Sequence, residues 1–246
     1  MLTSSKIIVN VVLLGTFAHD IERFVTRICN NHSSSELFMV AEPKVVTSLP
    51  EPKNSPQYFA DELSMFLHEP YYPNEILLGV IDKKINSKSN FCYPLSENVA
   101  LISTFGITEL LNDKGIGIEK YLLFMLYKFS ILKHGGLNFQ KVSIHHTTVK
   151  NCLYAKCDEH IEIIQVLNNV VLCNGCTKAF DEVPIPSSLL RTIKKELKRF
   201  KKPMFYVLRD WIKLRPILSL IIIGLVTIFL NILSGFLLDI LRGILR

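Results

Sequence analysis

Cys152-Leu-Tyr-Ala-Lys-Cys157 and Cys173-Asn-Gly-Cys176 place four cysteines, as a C-x4-C pair and a C-x2-C pair, within one short part of the chain. Each pair can supply two soft thiolate ligands from one tight turn, which suits a tetrahedral structural zinc ion. The Asn-Gly step of the second pair permits the positive φ angles that such a turn often requires. The alternative is a set of reduced, unligated cysteines or a redox pair at Cys173 and Cys176, but no βαβ pattern surrounds that pair. We therefore predict one structural zinc ion bound by Cys152, Cys157, Cys173 and Cys176.

The segments before the cysteines alternate between strand-like and helix-like patterns. Apolar runs rich in β-branched residues predict strands, and apolar residues at helical spacing predict helices. The predicted strands cover residues 6–14, 38–41, 45–47, 76–81 and 99–103, and the predicted helices cover residues 19–30, 57–68 and 118–134. Glycines at 135 and 136 end the last helix. The pattern predicts an α/β (α+β) domain with a mixed sheet.

The C-terminal part of the chain is apolar over an unusual length. Pro216 to Leu238 contains 23 residues without a charge, which is about 34 Å of helix and enough to span a bilayer core. The alternative is a buried helix of a soluble core, but such a core rarely accommodates so long an all-round apolar cylinder. We predict a transmembrane helix over residues 216–238, followed by a short tail over residues 239–246.

Charge is distributed unevenly along the chain. Arg191 to Arg246 contains 12 Lys or Arg and three acidic residues, a net charge of +9, which leaves −3 for the preceding residues. A basic segment beside a predicted span indicates attraction to lipid headgroups rather than to nucleic acid. Most of these cations precede the span, so the positive-inside tendency places the globular part in the cytosol, with a C-terminal single-pass anchor. We predict a globular domain over residues 1–182 and a basic amphipathic juxtamembrane linker or helix over residues 183–215.

Several segments, taken in order, resemble the archaemetzincins, a family of zinc-dependent metalloproteases of the metzincin type. The motifs that carry the resemblance are Pro56-Gln57-Tyr58-Phe59-Ala60, Leu78-Gly79-Val80-Ile81-Asp82, Asn90-Phe91 and the strand Val99-Ala100-Leu101-Ile102-Ser103, together with the four cysteines. The gap between the cysteine pairs is several residues shorter here than in the family. The resemblance covers residues 6–180 and implies a metzincin-like fold with a zinc knuckle.

This sequence departs from the family in the catalytic motif. The family's H-E-x-x-H-x-x-G-x-x-H supplies three zinc ligands and a general base directly before the first cysteine. An ungapped count back from Cys152 places Lys141, Val142, His145, Thr148 and Asn151 at the positions of the first His, the Glu, the second His, the Gly and the third His. His68-Glu69 matches the first two residues of this motif, but the next residue is Pro70, which opposes the helix that the motif requires. The resemblance, together with this departure, implies a domain that has no catalytic residues and favours a pseudo-metallopeptidase over an enzyme.

A rearranged second zinc site remains an alternative. Its candidate ligands are His134, His145, His146 and His160, and its candidate acids are Glu119, Asp158, Glu159 and Glu162. Histidines near a zinc knuckle are more often surface residues or supports of the ligands than ligands of another metal. Loss of a positioned carboxylate would cost roughly 10²- to 10⁴-fold in rate.

Three hypotheses for function follow. The first is a membrane-anchored, catalytically inactive archaemetzincin-like pseudoprotease that binds a protein, a peptide or a small ligand. The second is a membrane effector that is triggered through the soluble domain: Gly224, Ser234 and Gly235 let spans approach closely, Asn231 hydrogen-bonds between them, and the resulting homo-oligomer perturbs the bilayer. The third is an active zinc metallopeptidase with a rearranged site. The sequence indicates no nucleic-acid partner under any of the three.

Overall fold

The structure is a computed structural model. It describes residues 6–17, 21–31, 35–52, 57–68, 72–86, 92–139, 146, 149–157, 159–183, 185–200 and 204–244. Some residues used in the sequence analysis lie outside these ranges: Pro56, Glu69, Pro70, Asn90, Phe91, Lys141, Val142, His145, Thr148 and Asp158. The chain divides into two compact units, residues 1–201 and residues 202–246.

The first unit is built on a six-stranded mixed sheet. Its strands are β1 (Ile7–Leu14), β2 (Phe38–Val40), β3 (Lys44–Val46), β4 (Glu75–Ile81), β5 (Cys92–Pro94) and β6 (Val99–Ser103). The order is β2-β1-β4-β6-β5, and β3 also pairs with β1. All of these pairs are parallel except β5 with β6. The predicted α/β class with a mixed sheet is confirmed.

The central strands are apolar because both faces of the sheet are covered there. Val11 of β1 pairs with Leu78 of β4, and Val80 of β4 pairs with Ile102 of β6. All five residues of β6 are buried. Strands covered on both faces show continuous rather than alternating apolar patterns, which is typical of parallel sheets.

Helices pack on the sheet and extend the first unit. They are α1 (Ile21–Asn31), α2 (Ala60–Ser64), α3 (Ile107–Asp113), α4 (Ile118–His134), α5 (His160–Asn168), α6 (Asn174–Asp181) and α7 (Ser187–Leu197), with a 3-10 turn over Lys198–Phe200. In the second unit are α8 (Met204–Leu214) and α9 (Pro216–Ile244). Helix α9 is therefore longer than the predicted span.

Helix α2 is shorter than the predicted helix over residues 57–68. The amides of Phe66 and Leu67 donate to the carbonyls of Leu63 and Ser64, three residues back. Such i to i−3 bonds tighten the chain into a turn, so the α-helical pattern ends at Ser64. The smaller of two apolar cores, between this segment and one face of the sheet, includes Leu63 and Leu67.

The larger core lies on the other face of the sheet and is centred on α4. It includes buried residues of α1, α5 and α7 as well as the sheet. Leu190, Ile193 and Leu197 of α7 belong to it, as does Phe200. Residues 187–200, which the sequence analysis assigned to the juxtamembrane segment, therefore contribute to the core of the first unit.

A buried glutamate fixes α7 against this core. Glu196 accepts hydrogen bonds from Tyr127 Oη (2.6 Å) and Ser35 Oγ (3.0 Å), and its other oxygen accepts one from the amide of Glu36 (3.3 Å). Buried acidic groups are expensive unless hydrogen-bonded, and here three donors serve one carboxyl group. These bonds set the rotation of α7 about its own axis.

Candidate metal centre

Three cysteines and one histidine converge at the C-terminal part of the first unit. The ligand atoms of His146, Cys152, Cys173 and Cys176 all lie within 4.8 Å of one another. His146 Nε2 is 3.2 Å from Cys176 Sγ and 3.3 Å from Cys173 Sγ, and the sulfurs of Cys152 and Cys176 are 3.6 Å apart. Cys152 and Cys176 are buried, whereas His146 and Cys173 are half-buried.

Short parallel pairings between three chain segments hold these residues together. His146 pairs with Ala155, and Cys152 pairs with Val171. The amide of Lys156 donates to the carbonyl of His146 (2.9 Å), and the amide of Leu153 donates to that of Val171 (2.8 Å). The segment that carries Cys152 is therefore clamped between the segment of His146 and the one that leads to Cys173.

The Cys173-Asn-Gly-Cys176 pair lies at the start of α6. Cys173 is the N-cap residue, and its sulfur accepts a hydrogen bond from the amide of Cys176 (3.4 Å). Amide donors at a helix N-terminus stabilise a thiolate. The positive φ expected for the Asn-Gly step is wrong, because Asn174 and Gly175 form the first turn of α6 and Gly175 has no positive φ.

Electrostatics within the group favour one thiolate in the absence of metal. The side-chain hydrogen bond with Cys176 lowers the pKa of Cys152 to about 5, against the opposing effect of burial. The same hydrogen bond, together with burial, raises the pKa of Cys176. Zinc binds thiolates, so metal binding by this group would release the remaining thiol protons.

The donor set and its spacing fit zinc. Three sulfurs and one imidazole nitrogen form one of the tetrahedral combinations used by structural zinc sites, with Zn–S bonds of about 2.3 Å and hence sulfurs about 3.8 Å apart. The 3.6 Å between the sulfurs of Cys152 and Cys176 is close to that separation. The group could therefore hold one zinc ion.

The group contains three of the four predicted cysteines. Cys157 lies outside it, and its sulfur is 3.6 Å from the carbonyl oxygen of Ala155. His146, which the sequence analysis treated as a candidate for a second metal site, provides the fourth donor atom instead. Its place follows from the pairing with Ala155 rather than from ligand spacing. A histidine shortly before a C-x4-C pair is the sequence signal that points to it.

The other candidate histidines are dispersed. His134 ends α4, with Nε2 2.8 Å from the carbonyl oxygen of Leu37, and burial lowers its pKa although this bond opposes the shift. His160 begins α5, with Nε2 3.2 Å from the carbonyl oxygen of Phe105. His145 lies outside the described residues. In the part of the chain that the structure describes, these histidines form no second group with His146.

The described acidic candidates have local structural roles. Glu119 forms a 3.1 Å ion pair with Arg27. Glu159 caps α5, and its amide donates to Glu162 Oε2 (3.1 Å), which completes a capping box. Neither arrangement directs a carboxyl group toward the metal centre.

Comparisons with known proteins give structural neighbours alone. No protein-family profile matches the chain. No curated protein matches it either. Archaemetzincin from Methanopyrus kandleri is similar at 17% identity and a TM-score of 0.49, over 72% of this chain and 94% of that one. Archaemetzincin from Archaeoglobus fulgidus, complexed with malonate, is similar at 16% identity and a TM-score of 0.44, over 70% of this chain and 99% of that one.

A third solved structure of the same kind is a zinc-dependent peptidase from Methanocorpusculum labreanum. It shares 14% identity and a TM-score of 0.44, over 70% of this chain and 99% of that one. The resemblance to archaemetzincins that the sequence motifs predict thus has counterparts among solved structures.

Proposed function

We propose that this chain is a membrane-anchored binding module. In this proposal, a zinc-stabilised α/β domain without a catalytic metal site lies on the cytosolic side of a membrane and binds a protein or peptide partner. The observation that carries the proposal is the closed donor set of His146, Cys152, Cys173 and Cys176.

Four protein donors leave a tetrahedral zinc ion no position for water. Catalytic zinc sites keep three protein ligands and an open fourth position, where water is activated or a carbonyl is polarised. Zinc bound by all four donors here would instead join the segments around residues 146, 152 and 173–176. This supports a structural role for the metal.

The environment of α4 also supports a non-catalytic domain. Residues 121–127 of this helix are all buried, and none is a histidine or an acid. Tyr121 Oη donates to the carbonyl of Ser103, and Tyr154 Oη donates to that of Lys128. These contacts make α4 a core helix, which favours binding without hydrolysis.

Helix α9 supports the membrane anchor. Residues 216–235 form a helical segment that is long and apolar enough to cross a membrane, and only 6% of its most apolar part is buried. Ile217 and Leu220 expose 76% and 69% of their surface. Each such side chain gains roughly 1.5–3 kcal/mol when it leaves water, so a bilayer is the favourable solvent for this helix.

A cavity beside the smaller core offers a place for a ligand. It has a volume of about 350 Å³, within the range for small-ligand and peptide-side-chain pockets. Apolar side chains such as Val12, Phe66 and Leu77 line one half of it, and the polar or charged residues that line the other half are Asn10, Glu42, Lys44, His68 and Glu75. A lining that mixes apolar, acidic and basic groups suits a peptide segment that carries both apolar and charged side chains.

The test is the metal content and activity of the full chain purified in detergent. We expect one zinc ion per chain by elemental analysis, none in a Cys173→Ser, Cys176→Ser variant, and no chelator-sensitive peptide cleavage. Alkaline carbonate should leave the full chain in the membrane fraction and release a version that ends before Pro216. Two zinc ions per chain with cleavage would support the peptidase hypothesis, and leakage of vesicles caused by the full chain alone would support the effector hypothesis.

A further inference from the structure

We propose that the outer face of α7 is a docking surface for anionic lipid, which holds the globular domain against the membrane leaflet. This basic face consists of Arg191, Lys194, Lys195 and Lys198. The proposal rests on the membrane anchoring proposed above and adds to it a defined surface, a lipid class and an orientation of the domain.

The four cations share one side of the helix. Their spacing of i, i+3, i+4 and i+7 confines them to an arc of about 100° at about 100° per residue. All four are exposed. The opposite side of α7, with Leu189, Ile193 and Leu197, is buried in the larger core. The helix thus presents an almost purely cationic strip to solvent.

The strip is held in place by the core. Glu196 lies on the buried side, where Tyr127 and Ser35 donate to the same carboxyl oxygen. Phe200, just after the helix, packs edge-on against Tyr127 with ring centroids 5.5 Å apart. Because these contacts prevent α7 from rolling, the backbone that carries the cations is already oriented outward before binding.

The positive charge of this face is not neutralised within the described ranges. The side chains of Arg191, Lys194, Lys195 and Lys198 have no ion-pair or hydrogen-bond partner there. The one acid of α7, Glu196, is on the buried side, and Glu36 accepts from the Thr192 hydroxyl (3.1 Å). Lysines in the last turn of a helix interact favourably with the negative end of the helix dipole. That interaction is confined to one turn, so it does not account for Arg191 or for the position of all four cations on one face of α7.

An anionic bilayer is the partner that fits this charge. The apolar helix that begins at Pro216 follows in the same chain, so the tether keeps the basic face at high effective concentration near the membrane surface. Each Lys or Arg near an anionic leaflet is expected to contribute about fivefold to the docking equilibrium, and the effect decays within a Debye length. The strip carries no aromatic side chain on which a nucleic-acid base could stack.

Amine labelling of the full chain in vesicles tests the proposal. The chain is reconstituted into phosphatidylcholine vesicles with and without phosphatidylserine, reacted with an amine-specific reagent, and analysed by mass spectrometry at each lysine. We expect labelling of Lys194, Lys195 and Lys198 to fall several-fold in the anionic vesicles and to recover at high salt. The exposed Lys114 and Lys150 serve as internal controls and should label equally in both.

A pair of variants separates the basic face from general charge. Arg191→Gln, Lys198→Gln keeps Lys194 and Lys195 as reporters, and because each cation contributes about fivefold to the docking equilibrium, their labelling in anionic vesicles should rise close to the level in neutral vesicles. The matched variant Lys83→Gln, Lys84→Gln removes two other exposed cations and should preserve that protection.

Equal labelling of the three lysines in both lipids, with the chain retained after carbonate extraction, overturns the docking surface and leaves the anchor intact. Release by carbonate instead overturns the anchor. Protection by added nucleic acid in neutral vesicles, without protection by phosphatidylserine, overturns the lipid assignment.

Discussion

Tyr127 in α4 and Glu196 in α7 are joined by a 2.6 Å hydrogen bond between the phenol and a carboxyl oxygen, in the interior of the larger core. This bond connects the central helix of the domain to the last helix before the second unit. Glu196→Ala would leave the hydroxyls of Tyr127 and Ser35 buried without their acceptor, and we expect a loss of about 2–4 kcal/mol in the free energy of unfolding. Thermal unfolding followed by circular dichroism measures it.

The control for that change is Glu182→Ala. Glu182 is exposed just after α6, so we expect a change within about 0.5 kcal/mol. Equal stability of the two variants would show that Glu196 does not hold α7 in place.

Zinc affinity separates the two possible fourth ligands. His146→Ala should lower zinc affinity by at least about 10- to 100-fold, because one of four donors is lost. Cys157→Ser should leave it unchanged, since the sulfur of Cys157 lies outside the group. Competition with a chromogenic chelator measures both. The opposite outcome, with zinc kept in His146→Ala and lost in Cys157→Ser, would support the four-cysteine site predicted from spacing.

Acidification should destabilise the fold through His134. Burial lowers the pKa of His134 in the folded chain below its ordinary value of 6.5, so the unfolded state binds the proton more readily. The stability that the neutral ring contributes is fully present above pH 6.5 and is lost as the pH falls through the folded-state pKa. The midpoint of thermal unfolding should therefore change less between neutral and acidic pH in His134→Gln than in the parent chain. An identical pH dependence in both would exclude His134 as a source.

Gly79→Ala should destabilise the sheet. An added Cβ would lie 2.6 Å from Leu67 Cδ1 and 3.1 Å from Leu101 Cδ1, and both side chains are buried. Overpacking of this kind costs about 1–3 kcal/mol. In the matched change Gly175→Ala, the nearest contact is an ordinary 3.8 Å to Cys173 Sγ. In Gly175→Ala, the free energy of unfolding and the zinc content should therefore be unchanged. Chemical denaturation compares the two, and equal losses would contradict the packing over Gly79.

Asn10→Val should stabilise the domain. Asn10 is half-buried in β1 and lines the cavity of about 350 Å³, and its side chain has no hydrogen-bond partner among the described residues. Its replacement by a β-branched apolar residue should add about 0.5–1 kcal/mol to the free energy of unfolding. A loss of stability would show that the amide has a structural role.

The elements predicted best from the sequence are those that the core encloses. Strand β6 and helix α4 have the predicted bounds. Each is an apolar run that is buried on all sides, and the turn residues at its two ends mark where the element begins and ends. Strand β5 and helices α3, α5 and α6 were not predicted. They are short, and β5 lies at an edge and contains Pro94, so their own residues carry a weak periodic signal.

The metal centre was predicted in part for a related reason. Cysteine spacing indicates which turns can supply thiolates, and three of the predicted four meet in the structure. The place of His146 depends on the pairing of its segment with Ala155. Pairings between segments are set by the surrounding fold, and the spacing of the cysteines alone does not specify them.

The inclusion of α7 in the larger core determines where a protease can separate the globular domain from α9. A cut between Phe200 and Pro216 would release a soluble fragment with Ile193 and Phe200 still buried. A cut before Ser187 would remove that helix, uncover apolar surface on the core and expose the shed fragment to aggregation. Under the anchoring proposed above, shedding of this domain in an intact form is therefore restricted to cuts between Phe200 and Pro216.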